Sequence, residues 1–84
     1  MTFPNEPYAI AQLAMSQLKS AIYLLLKDAQ SVGLKNSEIG RALGIYTGHV
    51  EHEGHISRTL LSIMEAEGVV EQNKETKLWS LKKF

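Results

Sequence analysis

Apolar residues recur at helical spacing over the first two thirds of this chain and alternate with polar residues near its end. The first periodic segment predicts one long amphipathic helix, or two abutting ones, over residues 7–31, because its apolar side chains lie three or four residues apart. Asn5 is suited to cap this helix and Gly33 to end it. The apolar positions are Ile10, Ala14, Leu18, Ala21, Leu25 and Ala29, with an adjacent set at Met15, Ile22 and Leu26. This sector is wider than one side of a small domain requires.

A short second helix is predicted over residues 36–43. Asn36 or Ser37 is suited to cap its start, and Gly44 to stop it. Residues 45–54 contain two glycines and no sustained apolar period, which predicts a loop.

A third helix is predicted over residues 55–67, ending at Gly68. Its apolar positions are Ile56, Leu60, Ile63 and Met64, with Leu61 on the flank. The period then changes to alternation over residues 69–81, which predicts a β-hairpin with Trp79 and Leu81 on one face. The expected fold is therefore mainly α with a C-terminal β-hairpin, formed by a single domain over residues 1–84.

Composition narrows the class of protein. The chain has 84 residues, 44% of them hydrophobic and 21% charged, which is typical of one small globular domain and excludes a low-complexity chain. It has no cysteine, so thiolate zinc sites and cysteine nucleophiles are excluded, and a secreted disulfide scaffold is disfavoured. Nine basic residues balance nine acidic ones, so any binding to a polyanion has to rely on local charge.

We expect a cytoplasmic protein without membrane contact. The most apolar stretch, residues 21–26, is bounded by Lys19 and Lys27 and is shorter than the ~20 residues that span a bilayer. No basic segment followed by an apolar run opens the sequence.

Two stretches carry a resemblance to a known fold. Residues 34–45, LKNSEIGRALGI, resemble the first helix of a helix-turn-helix motif, with Gly40 where the two motif helices cross closely. Residues 56–70, ISRTLLSIMEAEGVV, resemble the recognition helix and the first strand of a wing. The chain thus resembles a winged helix-turn-helix domain of the kind found in MarR and ArsR regulators. It departs from that pattern in the turn, which is normally three or four residues long and here has about ten.

The resemblance implies binding of double-stranded DNA, with the third helix in the major groove. Opposite its apolar stripe this helix carries Arg58, suited to guanine, and hydrogen-bonding groups suited to phosphate or bases. The wing presents lysines, and the second helix presents polar groups at its start and on its exposed side. The candidate DNA-binding residues are His55, Ser57, Arg58, Thr59, Ser62, Arg41, Asn36, Ser37, Lys74 and Lys77.

A homodimer is also expected. The first half of the long helix has apolar residues that a three-helix core does not cover, and terminal helices of such regulators often pair across a two-fold axis. The candidate interface residues are Tyr8, Ile10, Leu13, Ala14 and Met15. An interface formed by Trp79 and Phe84 is an open alternative.

Protein–protein contact, a metal response and catalysis are the alternatives to DNA binding. A winged helix used for protein–protein contact is favoured by the zero net charge and by acidic residues late in the third helix. A metal-responsive regulator would use His49, His52 and His55, but their spacing lacks a complete ligand set, so no metal or other cofactor is expected. Catalysis lacks support, since no phosphate loop, nucleophile motif or small-molecule substrate site is apparent.

Overall fold

A computed structural model describes residues 5–29, 32–48 and 53–83. In chain order the elements are α1 (Asn5–Ala29), α2 (Asn36–Ala42), α3 (His55–Ala66), β1 (Val70–Gln72) and β2 (Trp79–Leu81). The prediction of a mainly helical chain with a C-terminal antiparallel hairpin is therefore confirmed. Helix α1 begins two residues before the predicted start, and the predicted end of that helix lies outside the described residues.

The core lies where the second half of α1 meets α3 and the hairpin. Its side chains are no more than 6% exposed and come from every helix and both strands. They are Ile22, Leu26, Ile39, Leu60, Leu61, Met64, Val70 and Trp79. The first ten residues of α1, Asn5–Ala14, take no part in this core and are all exposed.

Helix α3 is rotated relative to the sequence prediction. Leu61, predicted to lie on the flank, is fully buried, whereas Ile56 and Ile63 are only half-buried. Ser57, which packs against α2, is also fully buried. The centre of the buried face of α3 is therefore shifted toward Ser57 and Leu61. The polar side chain of Ser57 predicts a surface position, but the side chain is small enough to be buried where two helices cross closely.

The hairpin is joined to the segment that precedes α2. Within the hairpin, Val70 pairs with Leu81 and Gln72 pairs with Trp79. Leu34 adds an isolated bridge to Trp79, with N–H to carbonyl distances of 2.8 and 2.7 Å in the two directions. A single bridging residue has no periodicity, so the sequence pattern did not indicate it.

The start of α2 also differs from the prediction. Lys35 is the N-cap residue, and its backbone N–H donates to the Glu38 carboxylate at 2.8 Å. Neither Asn36 nor Ser37 is the cap, because both lie within the first turn of the helix. The helix ends at Ala42, one residue before the predicted end. Gly44 follows with φ of 73°, in the left-handed region that glycine adopts without strain, as expected of a residue that stops the helix.

Helix α1 is long and apolar enough to cross a membrane by length and composition, a property that core helices of water-soluble proteins share. Its second half packs into the core through Ile22 and Leu26. Lys19, near its middle, forms an ion pair with Glu67 at 2.9 Å. This second half is therefore a core helix of the domain.

We expect Leu26→Ala to lower the free energy of unfolding by about 2–5 kcal/mol, since it leaves a cavity in the core. The matched control is Leu24→Ala on the same helix, where the side chain is 60% exposed. This control should change the free energy by less than about 0.5 kcal/mol. Urea unfolding followed by circular dichroism measures both, and equal effects would contradict the packing described here.

Candidate nucleic-acid interface

Helices α2 and α3 meet at a contact made possible by glycine. A Cβ atom at Gly40 of α2 would lie only 3.0 Å from the Ser57 hydroxyl of α3 and 2.9 Å from the Tyr46 ring. Any larger residue at position 40 would push the two helices apart. The sequence prediction of a small residue at this crossing agrees with the structure.

A buried hydrogen-bond network holds the start of α3 against α2. The Ser57 hydroxyl lies 2.7 Å from the Asn36 side-chain oxygen and 3.1 Å from the Gly54 carbonyl, which also accepts from the Asn36 amide at 3.1 Å. The assignment of Ser57 to DNA contact is therefore wrong, since its side chain is fully buried. Asn36 is half-buried, and both ends of its side-chain amide are hydrogen-bonded within the protein.

Tyr46 fastens the beginning of the long loop to this contact. Its ring lies in a notch between two glycines, where a Cβ atom at Gly54 would approach it to 2.6 Å and one at Gly40 to 2.9 Å. The Arg41 guanidinium lies 4.6 Å from the centre of the same ring, within the range of a cation–π interaction. Tyr46, at the start of the loop, thus packs against α2 and against Gly54, at the end of the loop next to α3.

The outward side of α3 is polar in its first half. The residues on this side are exposed: His55, Arg58, Thr59 and Ser62. The Arg58 guanidinium makes a long hydrogen bond, 3.4 Å, to the Glu53 carbonyl, so it lies near the end of the loop. The structure therefore places four of the five α3 candidates on a common exposed side.

The acidic end of α3 is partly neutralised. Glu67, just after the helix, accepts a charge-assisted hydrogen bond from Lys19 of α1. Glu65 remains on the exposed side of the helix. The negative charge facing outward is consequently smaller than the sequence alone indicates.

The tip of the hairpin is an ordered turn. The Asn73 side-chain oxygen accepts from the backbone N–H groups of Glu75 and Thr76, at 2.8 and 2.9 Å. Lys77 has φ of 68°, and its carbonyl accepts from the Gln72 amide at 3.1 Å. These bonds fix the backbone that carries Lys74 and Lys77, and both lysines are exposed.

Other candidates have mixed outcomes. Ser37 is half-buried in the first turn of α2. His49 and His52 lie outside the described residues. Within the ranges that are described, no three His, Asp or Glu side chains are placed to hold a metal ion.

The candidate dimer residues fall on two faces of α1. At 100° per residue, Tyr8 and Met15 share the face that points into the core further along the helix, and Met15 packs against that core. Ile10 and Leu13 lie on the far side, together with Leu24, which is 60% exposed. Leu24 is not among the predicted interface residues, because these come only from the first half of the helix. Trp79 is buried in the core and therefore cannot contribute to the alternative interface. Phe84, the other residue of that alternative, lies outside the described residues.

Large exposed apolar side chains are confined to one part of the described molecule. They are Tyr8, Ile10, Leu13, Tyr23, Leu24 and Val32, all in α1 or just after it. Over the described parts of α2, α3 and the hairpin, the exposed side chains are polar, charged or alanine. The two surfaces are therefore chemically different.

No family model matches this chain, and no curated protein or solved structure shows significant similarity to it. Its function has to be inferred from its own residues.

We expect Gly54→Ala to destabilise the protein more than Gly44→Ala. Both glycines have positive φ, 80° and 73°, so each variant bears the left-handed strain of about 1–2 kcal/mol. Only at Gly54 would the new Cβ also overlap Tyr46 and Asn36, whereas at Gly44 it would meet nothing within 4 Å. The overlap should add about 1–3 kcal/mol, measurable by urea unfolding. Equal losses would show that the notch can widen without strain.

Proposed function

We propose that this chain is a winged helix-turn-helix domain that binds double-stranded DNA sequence-specifically, as a small, cytoplasmic, homodimeric transcriptional regulator. The observation that carries the proposal is the polar exposed side of α3, with Arg58 in its first half and no large apolar side chain. A helix that enters the major groove by its N-terminal half needs such a surface.

Arg58 is assigned to base contact, because a guanidinium bonds the two acceptors of guanine at once. Thr59 and Ser62 supply hydroxyl groups for bases or phosphates, and His55 supplies an imidazole at the start of the helix. Arg41, held over the Tyr46 ring, supplies a charge on the exposed side of α2.

Lys74 and Lys77 are assigned to phosphate contact beside the groove. A lysine at a hairpin tip acts as a point charge and carries no base information. The ordered Asn73 turn supports this role, since a fixed tip loses little freedom when it meets the backbone of DNA.

The leading rival, a winged helix used for protein–protein contact, requires exposed apolar residues on α3 or the wing. In the described chain such residues lie on α1 instead. That distribution favours DNA as the binding partner of the α3 surface and a second copy of the chain as the binding partner of α1. A metal-responsive regulator gains no comparable support from the described residues.

Arg58→Ala should weaken binding to the preferred duplex by about 1–3 kcal/mol and relax the sequence preference. The control is Lys27→Ala, which removes an exposed positive charge from α1. Fluorescence anisotropy with genomic and random duplexes measures both. Absence of wild-type binding to either pool at low salt would refute the proposed function.

Lys74→Ala should weaken binding to all duplexes to the same degree and reduce the slope of log affinity against log salt by about 1. The reason is that one phosphate contact fewer releases one counterion fewer. A titration series between low and moderate salt gives the slope. A change in sequence preference without a change in slope would assign Lys74 to the bases.

A further inference from the structure

An apolar groove separates the middle of α1 from the start of α3. It has a volume of about 270 Å³ and is lined by Met15, Leu18, His55, Ile56, Thr59 and Leu60. That volume is below the roughly 300–1,000 Å³ of small-molecule pockets. The groove is therefore suited to a single large side chain.

The apolar face that forms one wall of the groove continues along α1 beyond the body of the domain. Tyr8 lies seven residues before Met15, so the two side chains point in directions that differ by only about 20° at 100° per residue. Tyr8 is 67% exposed. Ala11 lies between them on the same face and is also exposed. The chain thus presents an uncovered aromatic side chain in line with an open groove.

Electrostatics favour a second copy of this segment as the occupant. No charged residue lies between Glu6 and Lys19, so two such segments come together without removing a charge from water. The ten residues Asn5–Ala14 are all exposed, so a second copy would cover a surface that the described chain leaves open.

We infer that two copies pair their α1 helices antiparallel about a two-fold axis near Ala11, each inserting Tyr8 into the groove of the other. This inference rests on the homodimer of the proposed function and specifies its contact. Tyr8 and Met15 are about 10.5 Å apart along the helix, so a single axis midway between them brings both Tyr8 side chains to both grooves. Ala11 at the axis allows the helices to approach closely.

Two consequences follow for the faces of the molecule. Ile10 and Leu13, on the far side of α1, lie outside this contact. His55 and Thr59 line the groove and border the partner helix, whereas Arg58 and Ser62 are not part of the groove wall. Recognition of the DNA sequence would then depend chiefly on Arg58 and Ser62.

Cysteine cross-linking tests the pairing directly, because the chain has no cysteine of its own. Under mild oxidation without DNA, Ala11→Cys should form a disulfide-linked dimer. A mixture of Tyr8→Cys and Met15→Cys proteins should form a mixed dimer. Leu13→Cys is the control on the opposite face and should remain mostly uncross-linked. Preferential cross-linking through Leu13→Cys, or of Tyr8→Cys with itself, would overturn the inference.

Sedimentation equilibrium supplies the thermodynamic test. Tyr8→Ala should raise the dimer dissociation constant at least ten-fold, Tyr8→Phe should restore it, and Tyr23→Ala on the same helix should leave it unchanged. A dimer that is insensitive to Tyr8→Ala would refute this contact but not the dimer.

Two further outcomes separate this inference from the proposed function. A wild-type monomer at tens of micromolar that still binds DNA would refute both the pairing and the homodimer but leave DNA binding standing. A wild-type monomer that binds neutral phosphatidylcholine vesicles would assign the apolar face to a membrane and overturn the inference.

Discussion

The arrangement of the candidate interface depends on one contact, the packing of Tyr46 and Ser57 against glycines at the junction of α2 and α3. Gly40 lets the Ser57 hydroxyl and the tyrosine ring come within reach of the α2 backbone, and Gly54 opens the same space from the start of α3. The Gly54 carbonyl then accepts from Asn36 and lies near the Ser57 hydroxyl. Without this contact, only the apolar core further along the two helices would hold α3 to α2, and the positions of Arg58 and Arg41 relative to each other would be less well defined.

This contact also explains how the chain accommodates a connection longer than an ordinary helix-turn-helix turn. The excess residues do not separate the helices, because the loop is fastened at its beginning by Tyr46 and at its end by Gly54. A backbone hydrogen bond from Gly54 to the Thr47 carbonyl, 2.9 Å long, closes the loop between these two points. The two described ends of the connection therefore help to maintain the geometry of α2 and α3.

The helices and the hairpin were predictable because each has a strong local signal: apolar period, a glycine stop, or alternation followed by a polar turn. The candidate site was predictable only in part. Arg58, Thr59 and Ser62 were placed correctly on the exposed side of α3, since a polar residue opposite an apolar stripe usually faces outward. Ser57 was misassigned because its burial results from a contact with Asn36, 21 residues away along the chain. A local pattern of apolar and polar residues does not indicate contacts between residues far apart in sequence, and this also applies to the Leu34 bridge to Trp79.

The charges of this chain illustrate why a sum over the sequence is a poor guide to function. In the sequence alone, the net charge of zero and two glutamates, Glu65 in the last turn of α3 and Glu67 just after it, favour a protein partner. One of these, Glu67, is paired with Lys19, so this pair contributes little to the field outside the molecule. The four cations that the proposed function assigns to DNA, Arg41, Arg58, Lys74 and Lys77, are all exposed. Their distribution among α2, α3 and the hairpin, with large exposed apolar side chains confined to the region of α1 in the described residues, gives the molecule two chemically different surfaces, one suited to a polyanion and one apolar.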